Sequence, residues 1–99
     1  MARLIWTRRA IDDLEHLLTY IERDAPLAAK RLAKRIVERA ESLQDHPHLG
    51  GFVLEDDTRT YREILQGPYR LIYREQVDVV YLITIHHAAR LLEIDEEAN

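Results

Sequence analysis

Tyr69-Arg70-Leu71-Ile72-Tyr73-Arg74 has the length of one β-strand. Side chains alternate across a strand, so one face carries Tyr69, Leu71 and Tyr73 and the other carries Arg70, Ile72 and Arg74. Gln66-Gly67-Pro68 ahead of it is a turn signal, and Glu75-Gln76-Val77-Asp78 behind it is a polar break. Strand-like runs lie on both sides, Tyr61-Arg62-Glu63-Ile64-Leu65 and Val79-Val80-Tyr81-Leu82-Ile83-Thr84-Ile85-His86-His87. A strand with two such neighbours is the middle of a meander. Its arginine-bearing face poses the functional question.

Working outward, residues 2–6 read as a first short strand. Thr7 is a good helix N-cap, with Arg8 opening the helix. Ala10, Ile11, Leu14, Leu17, Leu18 and Ile21 then recur at helical spacing, and Asp12, Asp13, Glu15 and His16 fall off that stripe. Asp24-Ala25-Pro26 breaks the helix and starts another, since proline is tolerated in a first turn. Ala29, Leu32, Ala33, Ile36, Val37, Ala40 and Leu43 form the second apolar stripe, and Lys30, Arg31, Lys34, Arg35 and Arg39 make the outer face basic. His46-Pro47 ends it. The short link makes the two helices an antiparallel hairpin. Residues 48–60 form a loop in which Phe52-Val53-Leu54 is either an edge strand or a core plug. Residues 89–94 form a brief helix, and the acidic tail 93–99 frays.

The expected fold is α+β in the order β-α-α-β-β-β, with a helical hairpin on one face of an antiparallel sheet. Two helices leave the other face uncovered, so that face is polar or meets a partner. It carries Arg70, Ile72 and Arg74, with one of two parities of the last strand: Val79, Tyr81, Ile83 and Ile85, or Val80, Leu82, Thr84 and His86. Both are largely apolar, which points to a partner.

Composition narrows the function. The 99 residues make one domain, and 46% hydrophobic content supplies one core. The absence of cysteine excludes a disulfide framework and thiolate chemistry and fits a cytoplasmic protein. No signal peptide or membrane span is expected. The net charge is −4, and Glu93, Asp95, Glu96 and Glu97 account for all of it. That is a poor global footprint for phosphate-driven nucleic-acid binding, so direct DNA binding by this chain alone is not expected, and the basic helix face reads as solvated surface.

Seven pieces then stand in order: Trp6-Thr7-Arg8-Arg9-Ala10 with Asp13-Leu14, Tyr20-Ile21, Pro26-Leu27-Ala28-Ala29, His46-Pro47-His48-Leu49-Gly50, Tyr61-Arg62-Glu63-Ile64, Tyr69-Arg70-Leu71-Ile72-Tyr73, and Ile85-His86-His87-Ala88-Ala89-Arg90. Through them the chain resembles, over about residues 4–92, the RelE/ParE superfamily of toxins from type II toxin–antitoxin systems, closer to the ParE branch. The resemblance implies a toxin neutralised by a cognate antitoxin in a hetero-oligomer. ParE-like members inhibit DNA gyrase by protein–protein contact, whereas RelE-like members cleave mRNA on the ribosome. An inactive homologue kept as an antitoxin-binding module is the third reading.

Metal-free RNA cleavage needs a cation for the transition state and groups that move protons. Arg70, Arg62, His86 and His87 are the candidates, with Glu55 as a further one, and Arg70 falls where RelE-like enzymes place a catalytic arginine. Against this, residues 48–61 lack the lysines such enzymes use and hold Glu55-Asp56-Asp57 instead. Cross-strand pairing with Glu63 is the plain alternative for Arg70 and Arg74. For the histidines it is core packing or solvation. No metal or cofactor is expected, because His46 and His48 only flank a proline. The antitoxin is expected to cover the open sheet face, burying Arg70, Ile72, Arg74 and Leu82 or Tyr81.

Overall fold

Thr7 does start a helix, and Pro26 starts another. The computed structural model describes residues 1–94 and gives β1 (Arg3–Trp6), α1 (Arg8–Glu22), α2 (Pro26–Glu41), a 3-10 turn (Ser42–Gln44), β2 (Gly51–Phe52), β3 (Tyr61–Gln66), β4 (Tyr69–Gln76) and β5 (Val79–His87). The Thr7 backbone is extended, and its hydroxyl accepts the Ala10 N–H at 3.1 Å. Among the described residues no helix is long and apolar enough to cross a membrane.

The strand order is β1-β5-β4-β3-β2. The meander is antiparallel, as expected, but the sheet as a whole is mixed. β1 pairs parallel with β5, Arg3 opposite Val79 and Trp6 opposite Leu82. The α-hairpin carries the chain away from β1, and the last strand returns beside it. β1 thereby fills part of a strand edge that would otherwise leave its backbone groups unpaired.

One irregularity decides which side chains face which way. The β4–β5 register shifts between Ile72, which opposes Thr84, and Tyr73, which opposes Leu82. One extra residue on β5 makes a bulge. Val80, Leu82 and then Ile85 therefore sit in the core under the helices, while Ile83 joins a second cluster on the other face. Neither parity read from the sequence runs the length of the strand.

β1 ends opposite this bulge, and α1 supplies the missing partners. The Thr7 N–H donates to the Leu82 carbonyl at 3.0 Å, and the Thr7 hydroxyl donates to the Ile83 carbonyl at 2.9 Å. The Asp13 carboxylate accepts the Ile85 N–H at 3.2 Å and the Thr84 hydroxyl. Asp13, which falls off the apolar stripe of α1, fastens α1 to β5.

The helix-side core holds Ala10, Ile36, Ala40, Leu71, Tyr73 and Leu82, with Leu14, Leu17 and Leu32 packed against it. The second cluster holds Val53, Tyr61, Ile72, Ile83 and Leu92, with Tyr81 and Ile94 against it. This corrects the expectation of an open sheet face. The face is apolar because the chain covers it with its own loop and C-terminal segment. The brief helix expected at 89–94 is absent: a turn follows β5, and Leu92 goes down to 6% exposure. Asp95, Glu96 and Glu97 of the expected frayed tail lie outside the described residues.

Asp13→Ala removes the acceptor for two groups at the bulge and is expected to cost about 1–3 kcal/mol in urea unfolding. Asp13→Asn keeps an acceptor oxygen and is expected to lose less. Equal losses in the two variants would mean that the bulge does not depend on this acceptor.

Candidate functional site

Arg70 lies on β4 opposite Leu65 of β3 and His86 of β5. It is only 8% exposed. Glu63 on β3 opposes Ile72, two residues along, which makes it Arg70's diagonal neighbour on the same face. Glu55 arrives from the loop between β2 and β3. Val53 anchors that loop in the second core. Asp56 folds it, accepting from the Thr58 N–H at 3.2 Å and the Thr58 hydroxyl at 2.7 Å, bonds that lower the Asp56 pKa.

The guanidinium is held by both acids. Nη1 and Nη2 donate to the two Glu55 oxygens at 2.6 and 2.9 Å, and Nε and Nη2 donate to the two Glu63 oxygens at 3.1 and 2.5 Å. Charge-assisted forks of this kind are the strong members of their class. The hydrogen bond from Arg70 lowers the Glu55 pKa to about 2, against a smaller opposing effect of desolvation. Glu55 first and Glu63 second push the Arg70 pKa further up. With both carboxylates ionised, the cluster carries one net negative charge.

The other candidate residues are spread out. Arg62 opposes Tyr73 and so belongs to the opposite face of the sheet from Arg70. Its Nη1 donates to the Gly50 carbonyl at 2.7 Å, and its guanidinium lies 4.2 Å from the Phe52 ring centroid. Arg74 opposes Tyr61 and lies 5.5 Å from the Tyr81 ring centroid. His86 Nε2 donates to the Arg90 carbonyl at 2.9 Å, which fixes the proton on that nitrogen. His87 Nδ1 accepts the Ala89 N–H at 3.1 Å, so a neutral His87 carries its proton on Nε2. The His87 ring stands edge-on to Tyr69. Both histidines line an open groove of ≈ 440 Å³ with Asp13, His16, Tyr20 and Arg90. Arg70 and His86 are thus cross-strand neighbours, His87 shares only the groove with His86, and Arg62 lies on the other face.

Three residues expected on a partner surface are internal, Arg70 inside its clamp among them. Ile72 and Leu82 are fully buried, Ile72 in the second cluster and Leu82 under the helices. Of the two alternatives left open by the parity of the last strand, Tyr81 lies on the Ile72 face and Leu82 does not. Among the described residues no three His, Asp or Glu side chains come together as metal ligands. The sequence named Glu63 as a partner for Arg70 and left Glu55 among catalytic candidates. Loop closure over 15 positions has no periodicity from which that second clamp could be read.

Set against known proteins, residues 4–92 match a family model described as the ParE toxin of the type II toxin–antitoxin system parDE. Toxin RelE2 of Caulobacter vibrioides is 39% identical over 92 residues, covering 92% of this chain and 100% of the relative. Putative toxin Y4kP of Sinorhizobium fredii is 34% identical over 86 residues, covering 85% of this chain and 86% of the relative. A solved chain from the chromosomal ParDE system of P. aeruginosa superposes with a TM-score of 0.74 at 22% identity, covering 88% of this chain and 96% of that one. At that identity the likeness speaks for the fold alone.

The depressed Glu55 pKa sets a pH dependence. A carboxyl whose folded pKa is lowered stabilises the fold above its unfolded value and loses that contribution as pH falls through the folded one. The loss should run from the ordinary 4.5 down to about 2. Glu55→Gln is expected to flatten this part of the stability curve, measured by urea midpoints between neutral and acid pH. Arg70→Ala, which leaves two facing carboxylates, is expected to cost about 3 kcal/mol, the low end for a broken buried pair because Glu55 stays partly solvated. An unchanged midpoint in Arg70→Ala would show the clamp to be a surface ornament.

Proposed function

As the chain belongs to the ParE toxin family of type II toxin–antitoxin systems, we propose that it arrests growth by binding DNA gyrase. A cognate antitoxin holds it inactive until released. The single observation that carries the choice of target is the state of Arg70. A ribonuclease needs a guanidinium that can turn its donors to a phosphorane-like transition state. Here four Arg70 donor contacts go to Glu55 and Glu63. The local charge is negative where a scissile phosphate would have to sit. Arg62 is bonded to Gly50 on the other face. Inhibition by surface contact makes no demand on these groups, and under this reading Arg70 is a folding residue.

The test pairs two reactions, using toxin freshly separated from its antitoxin: supercoiling by purified gyrase, and translation in vitro with the mRNA followed on gels. Inhibited supercoiling with intact mRNA is expected, and His86→Ala and His87→Ala are expected to inhibit within about twofold of the parent, because surface residues away from a contact carry little of its energy. Cleaved mRNA with unaffected gyrase would replace this reading with the ribosome-dependent nuclease. Folded protein silent in both reactions would leave an antitoxin-binding module.

A further inference from the structure

Among the described residues β2 ends the sheet, with no strand beyond it in the strand order. Gly51 opposes Glu63, Phe52 opposes Arg62, and the Val53 N–H donates to the Tyr61 carbonyl at 2.9 Å. Backbone groups alternate in direction along an antiparallel strand, so the N–H and C=O of Phe52 point away from β3. An edge of this kind templates pairing with another chain. Its side chains do not shield it: Leu49 is 49% exposed, Phe52 38% and Leu54 93%.

The two neighbouring glycines differ in a telling way. A Cβ on Gly50 would come within 2.2 Å of the Glu63 carbonyl oxygen, so the chain's own packing requires Gly50. A Cβ on Gly51 would meet nothing within 4 Å, and its backbone is not in the left-handed region. Nothing in the chain's own fold requires glycine there. A bare backbone at a sheet edge permits close approach by a second main chain.

Charge indicates what that chain carries. Arg62 and Arg59 both lie over the Phe52 ring, at 4.2 and 5.5 Å from its centroid. Among the described residues neither is in an ion pair. Two guanidiniums on one half-exposed ring call for anionic groups opposite them. A second copy of this chain fits badly, because two-fold pairing of β2 with itself would gather four guanidiniums.

We propose that this edge receives an extended, carboxylate-bearing segment of the antitoxin as a sixth strand. The segment exchanges two backbone bonds with Phe52, lays apolar side chains against Leu49 and Leu54, and turns carboxylates toward Arg59 and Arg62. The existence of that partner rests on the family reading above. The placement of the contact rests on the edge itself.

The full chain, alone and co-expressed with its cognate antitoxin, is compared by amide hydrogen exchange and by affinity. The Phe52 amide is expected to gain at least about tenfold protection in the complex. Leu54→Asp is expected to weaken antitoxin binding by about tenfold or more, and Arg59→Glu likewise, while Arg59→Lys stays within about threefold. All three should keep the parent's thermal midpoint, since both side chains are spent on contacts outside the core. A tight complex in which the Phe52 amide is unprotected and Leu54→Asp binds like the parent overturns the placement and leaves the family reading intact. Self-association lost in Leu54→Asp overturns it in favour of a homodimer. Folded parent chain that forms no complex overturns both.

Discussion

The unfinished edge of β5 is the constraint around which this fold closes. β1 pairs with β5 only as far as Trp6 opposite Leu82. Beyond that point the strand bulges and needs donors and acceptors that no neighbouring strand provides. A buried backbone group without a partner costs about 1–3 kcal/mol, a large share of the stability of so small a domain. Thr7 and Asp13 supply the partners from the N-cap and the second turn of α1. The residue that starts the helix is therefore also the one that seats it on the sheet. With α1 fixed there, Ala10, Leu14 and Leu17 reach the core, and the small Ala29, Ala33 and Ala40 of α2 can approach from the other side.

A second buried polar group does for the loops what Asp13 does for the helix. The Tyr73 hydroxyl donates to the Pro47 carbonyl at 2.8 Å and accepts the Gly50 N–H at 2.9 Å. Burial pushes its pKa up, keeping the proton that the Pro47 bond uses. This fixes the chain between α2 and β2 at the point where Gly50 passes against β3. On the opposite face, Arg70 holds the following loop through Glu55. Tyr73 and Arg70, three positions apart on one strand, thus pin successive loops from the two faces of β4. An arginine built into such a clamp is a poor reporter of catalysis, because removing it perturbs the loop and the sheet together.

The sequence was most legible where one period governs a whole element. Thr7 as N-cap, Pro26 at the start of α2 and the meander of β3, β4 and β5 follow from spacing and turn chemistry, and they stand in the structure. The split of β4 into a Leu71–Tyr73 face and an Ile72 face also stands. Legibility stopped where a contact joins distant positions. Period-2 reasoning cannot place a bulge, so the choice between Leu82 and Tyr81 stayed open and neither parity holds along the whole strand. It cannot see that Leu92 and Val53 return to cover Ile72, so apolar strand residues looked like a partner's surface. The parallel pairing of β1 was missed for the same reason, since a four-residue strand carries no mark of which edge it will join.

That closure also bears on how a partner can engage the sheet. A chain seated on the Ile72 and Ile83 face would have to displace Leu92 and Ile94, re-exposing an apolar cluster before covering it again. The apolar gain would be offset by the area first uncovered, at roughly 25 cal/mol per Å² in each direction. A chain added at β2 displaces none of the described residues: the Phe52 backbone groups point outward and Leu54 is already in solvent. Between two surfaces of similar apolar character, the one that begins exposed yields the larger net free energy. The interior face of this sheet is therefore better understood as core, whereas its β2 edge starts out in solvent.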